Sequence, residues 1–430
     1  MNSSSRHGDS RPAASRQRVV LAGIRAPKQP VSEVEEHLDE LSRLTETAGG
    51  TVVGTFVQER SRRDPATFLG KGKVEEIARA LVPLRAGLVI FDEDLSPVQT
   101  RNLERMLESP VLDRAGLILD IFAVRARSRE AKVQVDLAQM KYLLPRLTGR
   151  WTHLERQAGG IGVRGVGETQ LETDRRLIQK RIGHLESQLE RIERERSLRR
   201  KRRGETFQVA LVGYTNAGKS TLLNALTGAG ARVEDRLFAT LDPLVRQGGK
   251  GWERFLFIDT VGFIRKLPPQ LVASFRSTLE EAREADFLLH VVDVSHPGFE
   301  DQMKTTRAVL QELELDKTPI VTVFNKADRI TSAKDRERAA HAAEDAIFIS
   351  ALRTEGLEDL RRSLSALVED ESVLVRAAVP QEAGQVIARI HALAEVIGTR
   401  IMDGRLVIRY RARRKDAAAL HRLVRDAGGS

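Results

Sequence analysis

The chain has 430 residues with 41% hydrophobic residues, room for about two to four domains each with its own core. It has no cysteine, which excludes disulfides and thiolate metal sites, and its nine histidines are scattered without ligand spacing. The formal charge is +10 and no apolar run approaches the roughly 20 residues needed to span a bilayer, so a polyanionic partner is favoured over a membrane span.

Residues 1–18 are polar, with Ser3 to Ser5 and several arginines, and read as a disordered tail. A mitochondrial presequence is the rival reading; Asp9 and the lack of an amphipathic pattern disfavour it, and a cytoplasmic location is expected. From 19 to 124, strand-like and helix-like runs alternate. RVVLAGI is a strand, Ser32 caps a helix that ends at Gly49-Gly50, and TVVGTFVQ is a strand again. Residues 72–84 read as helix, 87–93 as strand, and Ser96-Pro97 supplies an N-cap and an N1 proline. Such alternation predicts a small α/β domain with a mainly parallel sheet. Gly70-Lys71-Gly72-Lys73 opens one helix, either as a well-capped start or as an anion site for an RNA phosphate.

Residues 125–203 change character. Val133, Leu137, Met140 and Leu144 recur at 4-3-4 spacing, and Ile178, Ile182, Leu185, Leu189 and Ile192 at 4-3-4-3. These heptad seams predict an antiparallel helical hairpin. Between them runs PRLTGRWTHLERQAGGIGVRGVGETQ, whose six glycines cannot hold regular structure alone. Arg146, Arg150, Arg156 and Arg164, with Trp151 among them, suit phosphate contact and base stacking on RNA. A plain connector is the alternative. Residues 191–203 then carry eight basic and two acidic residues.

The segment 204–370 holds an ordered set of nucleotide motifs. GYTNAGKST, residues 213–221, stands between an apolar strand at 208–212 and a helix at 220–226, the context a phosphate-binding loop requires. The expected nucleotide contacts are Gly213, Tyr214, Thr215, Asn216, Ala217, Gly218, Lys219, Ser220 and Thr221. Glycines at 213 and 218 let backbone N–H groups close on phosphates, Lys219 reaches the β- and γ-phosphates, and Ser220 holds Mg²⁺. DTVG follows the strand at 254–258: Asp259 serves Mg²⁺, Thr260 and Val261 line the site, and the Gly262 N–H reaches the γ-phosphate. Thr240 is the candidate for the mobile threonine that closes on Mg²⁺ when a third phosphate is present. NKAD follows the strand at 320–324. Asn325 contacts the base edge and the loop, Lys326 packs over the base, and Asp328 accepts from guanine N1–H and amine, which adenine cannot match. Ser350, Ala351 and Leu352, after the strand at 346–349, supply a backbone donor to guanine O6. GTP and GDP with Mg²⁺ are therefore the expected ligands.

Ras-type GTPases carry a water-orienting glutamine after the DxxG glycine; here Phe263 occupies it, so unassisted hydrolysis is expected to be slow. Asn216 has two readings, a K⁺ ligand that places charge beside the phosphates or a turn-forming asparagine. Residues 371–430 read strand, helix, strand, helix, a small α/β domain with a basic last third.

Outside the generic motifs, LGKGKVEEI, FDEDLSPVQTRNLE, DRAGLILDIFA, LAQMKYLLPRLTG and GGIGVRGVGETQLETDRR closely resemble the HflX family of ribosome-associated GTPases, over about residues 19–370. The resemblance implies a factor that binds the large ribosomal subunit and its rRNA and splits stalled or stressed ribosomes; a monomer is the default expectation for a factor entering so crowded an interface. Its hairpin loop, here 146–170, would reach toward the peptidyl transferase centre, and the ribosome would stimulate hydrolysis. Val166 departs from the proline usual in the family, and the C-terminal segment is assigned nothing. Two rival functions share these residues: a ribosome-assembly GTPase, and a non-catalytic RNA-binding protein with a nucleotide-regulated clamp.

Overall fold

The structure is a computed structural model that describes residues 16–149, 166–200, 206–230, 237–238, 244–268 and 282–429. The chain divides into two compact units, Met1–Val124 with Gln139–Arg181, and Arg125–Ala138 with Ile182–Ser430.

In the first unit β1 (Arg18–Arg25), α1 (Val31–Thr47), β2 (Thr51–Glu59), α2 (Lys71–Leu81), β3 (Leu88–Phe91), α3 (Pro97–Leu107) and β4 (Val111–Asp113) follow one another, then α4 (Arg114–Arg125). The strands form a wholly parallel sheet in the order β2-β1-β3-β4. Val20, Ala22, Val89 and Phe91 pack against Val74, Ile77 and Leu103 of the helices, which is why central strands of this sheet read as apolar runs. Ser96 and Gln99 form a reciprocal capping box with Pro97 at the first turn. Ser32 does not cap α1: the helix begins at Val31 after Pro30, with no side-chain cap. At α2 the Gly70 N–H donates to Gln58 Oε1 at 2.8 Å, and Lys73 pairs with Glu76 at 2.7 Å. Those contacts favour the capped-start reading over the anion site.

Helices α5 (Arg129–Leu143) and α6 (Val166–Arg200) take the positions that the heptad seams predict. Val133, Leu137 and Leu185 are buried, while Ile178, Ile182, Leu189 and Ile192 are half-buried along an otherwise exposed helix. Leu144 falls in a 3₁₀ segment, Leu144–Gly149, just past α5.

In the second unit β5 (Phe207–Val212), α7 (Lys219–Thr227), β6 (Leu244–Gln247), β7 (Phe255–Asp259), β8 (Phe287–Asp293), α8 (Phe299–Glu312), β9 (Ile320–Asn325), α9 (Ala333–Ala342), β10 (Ile347–Phe348) and α10 (Leu357–Asp370) build the nucleotide domain. Its sheet runs β10-β9-β8-β5-β7-β6, parallel except for β6. Val209, Leu211, Phe257 and Leu289 fill the centre with Leu222 and Leu360 of the flanking helices. The carboxyl ends of β5, β7 and β9 therefore lie together, where ligands bind in open α/β sheets.

The C-terminal domain holds β11 (Ser372–Pro380), α11 (Gly384–Leu393), β12 (Ala394–Met402), β13 (Arg405–Arg413) and α12 (Arg414–Asp426). Strand β12 was not foreseen. It pairs with β13 across a two-residue Asp403-Gly404 turn in which both residues have positive φ, so the sheet is antiparallel, in the order β11-β13-β12.

Candidate active site

The loop from β5 to α7 is held from three sides. Gly218 has φ +91°, and a Cβ there would lie 2.2 Å from Asn325 Nδ2, so only glycine lets the NKAD segment close on the phosphate loop. Asn325 Nδ2 donates to the Ala217 carbonyl at 2.8 Å, and its Oδ1 accepts from the Ala351 N–H at 3.0 Å. One side chain thereby ties the phosphate loop, the base-reading strand and the Ser350-Ala351 loop together. The Ala351 N–H expected at guanine O6 is engaged with Asn325 here, so contact with a base requires that hydrogen bond to be shared or shifted. Leu352 is 75% exposed beside it.

Lys326 Nζ donates to the Asn216 carbonyl at 2.9 Å and to Asp293 Oδ2 at 2.7 Å. Asp293, at the end of β8, is a site residue that sequence reasoning missed; the signal was an apolar run, FLLHVVD, closing on a carboxylate. Asp328 keeps a pKa below the usual carboxylate range, chiefly because the Ser350 hydroxyl donates to it, with Arg353 adding to the effect. It stays ionised at neutral pH, the form that accepts from guanine. Asn216 has φ +60°, a left-handed conformation that asparagine tolerates better than most residues.

At the phosphate end, Lys219 Nζ donates to the Gly213 and Tyr214 carbonyls at 3.1 and 2.9 Å. Burial pulls its pKa down to about 8, against the opposing pull of Asp259. Ser220 Oγ donates to Asp259 Oδ2 at 2.6 Å, which brings together the two expected Mg²⁺ groups. A hydroxyl and a carboxylate side by side are the hard oxygen donors that Mg²⁺ takes, so the pair fits the ion. Thr221 stands in the first turn of α7.

The DTVG segment is zipped to the phosphate loop. The Phe263 N–H donates to the Gly213 carbonyl at 3.0 Å, and the Thr215 N–H donates to the Phe263 carbonyl at 2.7 Å. Gly262 lies against Thr215, and the Tyr214 hydroxyl accepts from the Arg265 N–H at 2.8 Å. Phe238 closes the other side through its N–H to Thr215 Oγ1 at 3.0 Å. The Thr260 hydroxyl donates inward to the Leu211 carbonyl at 2.6 Å, and Val261 is buried. Phe263 is 2% exposed: its ring belongs to the core and offers nothing to a water.

Thr240, Arg150, Trp151, Arg156 and Arg164 lie outside the described residues. Arg146 requires a correction. Its guanidinium donates to Asp113 Oδ2 at 2.7 Å and to the Leu95 carbonyl at 2.9 Å, and lies 3.6 Å from the centroid of the Tyr142 ring. Asp113 also accepts from the Tyr142 hydroxyl at 2.7 Å. A buried carboxylate demands a cation, and Arg146 meets that demand inside its own unit instead of facing RNA.

Three family models match the chain in succession: GTP-binding GTPase N-terminal over residues 35–123, GTP-binding GTPase Middle Region over 125–203, and 50S ribosome-binding GTPase over 208–326. A GTPase HflX of Flavobacterium psychrophilum is 45% identical across 82% of this chain and 91% of that protein. One of Magnetococcus marinus is 47% identical across 89% of both chains. The chain belongs to the HflX family of GTPases. The Escherichia coli HflX is 43% identical across 84% of this chain and 86% of its own length. An HflX protein is a ribosome-binding GTPase, so this chain hydrolyses GTP to GDP, and the reading as a non-catalytic clamp falls. Among the described residues, no helix is long and apolar enough to cross a membrane.

Proposed function

We propose that this HflX protein is a cytoplasmic monomer that binds the large ribosomal subunit with GTP and splits stalled ribosomes, hydrolysis then releasing it. The observation that carries this reading is Phe263, buried where a water-orienting group would stand, in a site otherwise furnished for GTP. Such a site hydrolyses efficiently only when something outside it completes the machinery. The arginine-rich stretch at 191–203 and the glycine-arginine loop that contains Arg150, Trp151, Arg156 and Arg164 supply the affinity for rRNA.

GTP enters with its phosphates in the loop 213–218, where backbone N–H groups and the start of α7 favour negative charge. Phosphate oxygens beside Lys219 draw its ammonium from the loop carbonyls and favour its charged form. Ser220 and Asp259 would hold Mg²⁺, with Thr240 joining when the third phosphate is present. Held by these residues, Mg²⁺ would supply positive charge against the negative charge that develops in transfer. Asp328 reads the guanine edge and Lys326 covers the base. The left-handed backbone of Asn216 suits a turn-forming asparagine and is compatible with its side chain serving as a K⁺ ligand beside the phosphates.

Sedimentation of intact ribosomes with the protein and a non-hydrolysable GTP analogue tests the proposal. Conversion to subunits is expected, and a chain lacking residues 150–168 is expected to lose it. Binding of assembling subunits alone, with intact ribosomes left whole, would instead assign an assembly role.

A further inference from the structure

The C-terminal sheet has one face packed and one open. In β13, Leu406, Ile408, Tyr410 and Ala412 turn into the core with residues of α11 and α12, so the alternate residues point the other way. Strand register sets Arg376 of β11 directly opposite Arg409, and Arg400 of β12 opposite Val407, all on that second face. Arg376, Arg400 and Arg409 are exposed, and none pairs with a carboxylate among the described residues. Glu395 is the sole acidic residue in the three strands, and it is occupied by Arg254 at 3.1 Å and Arg411 at 3.5 Å. Residues 371–430 hold eleven basic and six acidic residues, which concentrates half of the chain's net charge of +10 in its last segment.

Two arginines facing each other across an antiparallel pair disfavour the sheet unless an anion bridges them. Nothing in the packed core of this domain requires them: their side chains stand in solvent beside Leu374, 62% exposed, and Met402. Arg376, Arg409 and Arg400 stand one on each of three neighbouring strands about 4.8 Å apart, so they form a diagonal row across the sheet. No aromatic residue lies on this face, since Tyr410 points into the core, so stacking on bases is absent from the design.

We propose that the open face of this sheet is an RNA-binding surface that grips the phosphate backbone of an RNA strand without reading its sequence. Arg376, Arg400 and Arg409 make the contacts, with guanidinium groups paired to phosphate oxygens. The surface is built from residues that take no part in the nucleotide site.

The test compares the full chain with its R376Q/R400Q/R409Q variant by fluorescence anisotropy on a labelled single-stranded uridine oligonucleotide, across a salt titration. The variant is expected to bind at least about tenfold more weakly at low salt, with the slope of log K against log salt shallower by about 2. The R376K/R400K/R409K variant keeps the charge and is expected to retain most of the affinity. Basal GTP hydrolysis is expected to be unchanged in both. The same comparison made on a chain lacking 150–168 should show the same slope difference, so this surface and the loop stand or fall separately. Equal affinity and slope for the Gln variant and the parent would overturn the proposal. So would lost binding to poly-glutamate with RNA binding intact, which would assign the face to an acidic protein.

Discussion

Asn325 shows how a single side chain organises the nucleotide site. Its amide bridges Ala217 and Ala351, and it forces glycine at 218. The neighbouring Asp328 carries the discrimination, because a carboxylate facing adenine would lose both its donors. Asp328→Asn is expected to weaken GTP binding at least about tenfold, read by calorimetric titration, since it converts a charged acceptor into a neutral group. Unchanged affinity would remove Asp328 from the base site. Lys219, Ser220, Asp259 and Asn325 were legible in the sequence because each sits at a fixed offset from a strand end. Asp293 and the Thr215–Phe263 zipper were not, since their partners are distant in the chain.

Strand β8 illustrates what an element does with a titratable residue. His290 lies mid-strand between Val212 of β5 and Thr322 of β9, and is 1% exposed. Burial, with Arg307 and Lys219 adding repulsion, pushes its pKa down to about 3 from an ordinary 6.5. Between those values the unfolded chain binds the proton and the folded chain does not. Stability is therefore full above pH 6.5 and declines as pH falls toward 3, by about 1.4 kcal/mol per pH unit from this residue. Denaturant unfolding of His290→Leu should show a flatter slope than the parent across that window; equal slopes would refute the linkage. Elements also mark where periodicity misleads. AEVIGTRIM did not read as a strand, yet its pairing with β13 is signalled by Asp403-Gly404, the short-range hairpin sign between two apolar runs. Ser32 has the chemistry of a cap, but Pro30 presets the backbone and α1 begins two residues earlier than a Ser32 cap would start it.

For the whole molecule, the decisive property is that a buried phenylalanine stands where Ras-type GTPases carry a water-orienting glutamine. Phe263 is locked by its backbone to Gly213 and Thr215 and by its ring to the core, so this residue offers no group to an attacking water. Multiple-turnover hydrolysis is expected to rise at least about tenfold when large ribosomal subunits are added. Equal rates with and without subunits would mean that the isolated chain is already complete.

By itself the sequence determined the ligand class and the family, because phosphate loop, DTVG, NKAD and Ser350-Ala351 are local strings whose chemistry travels with their spacing. It also determined the parallel sheets, since strand and helix periods alternate along the chain. Tertiary structure alone decided what Arg146 does, because a buried Asp113 is visible only once β4 and the end of α5 are folded together. It alone decided that Arg376 faces Arg409. Side chains alternate along a strand, so register, which no single strand encodes, sets which charges share a face.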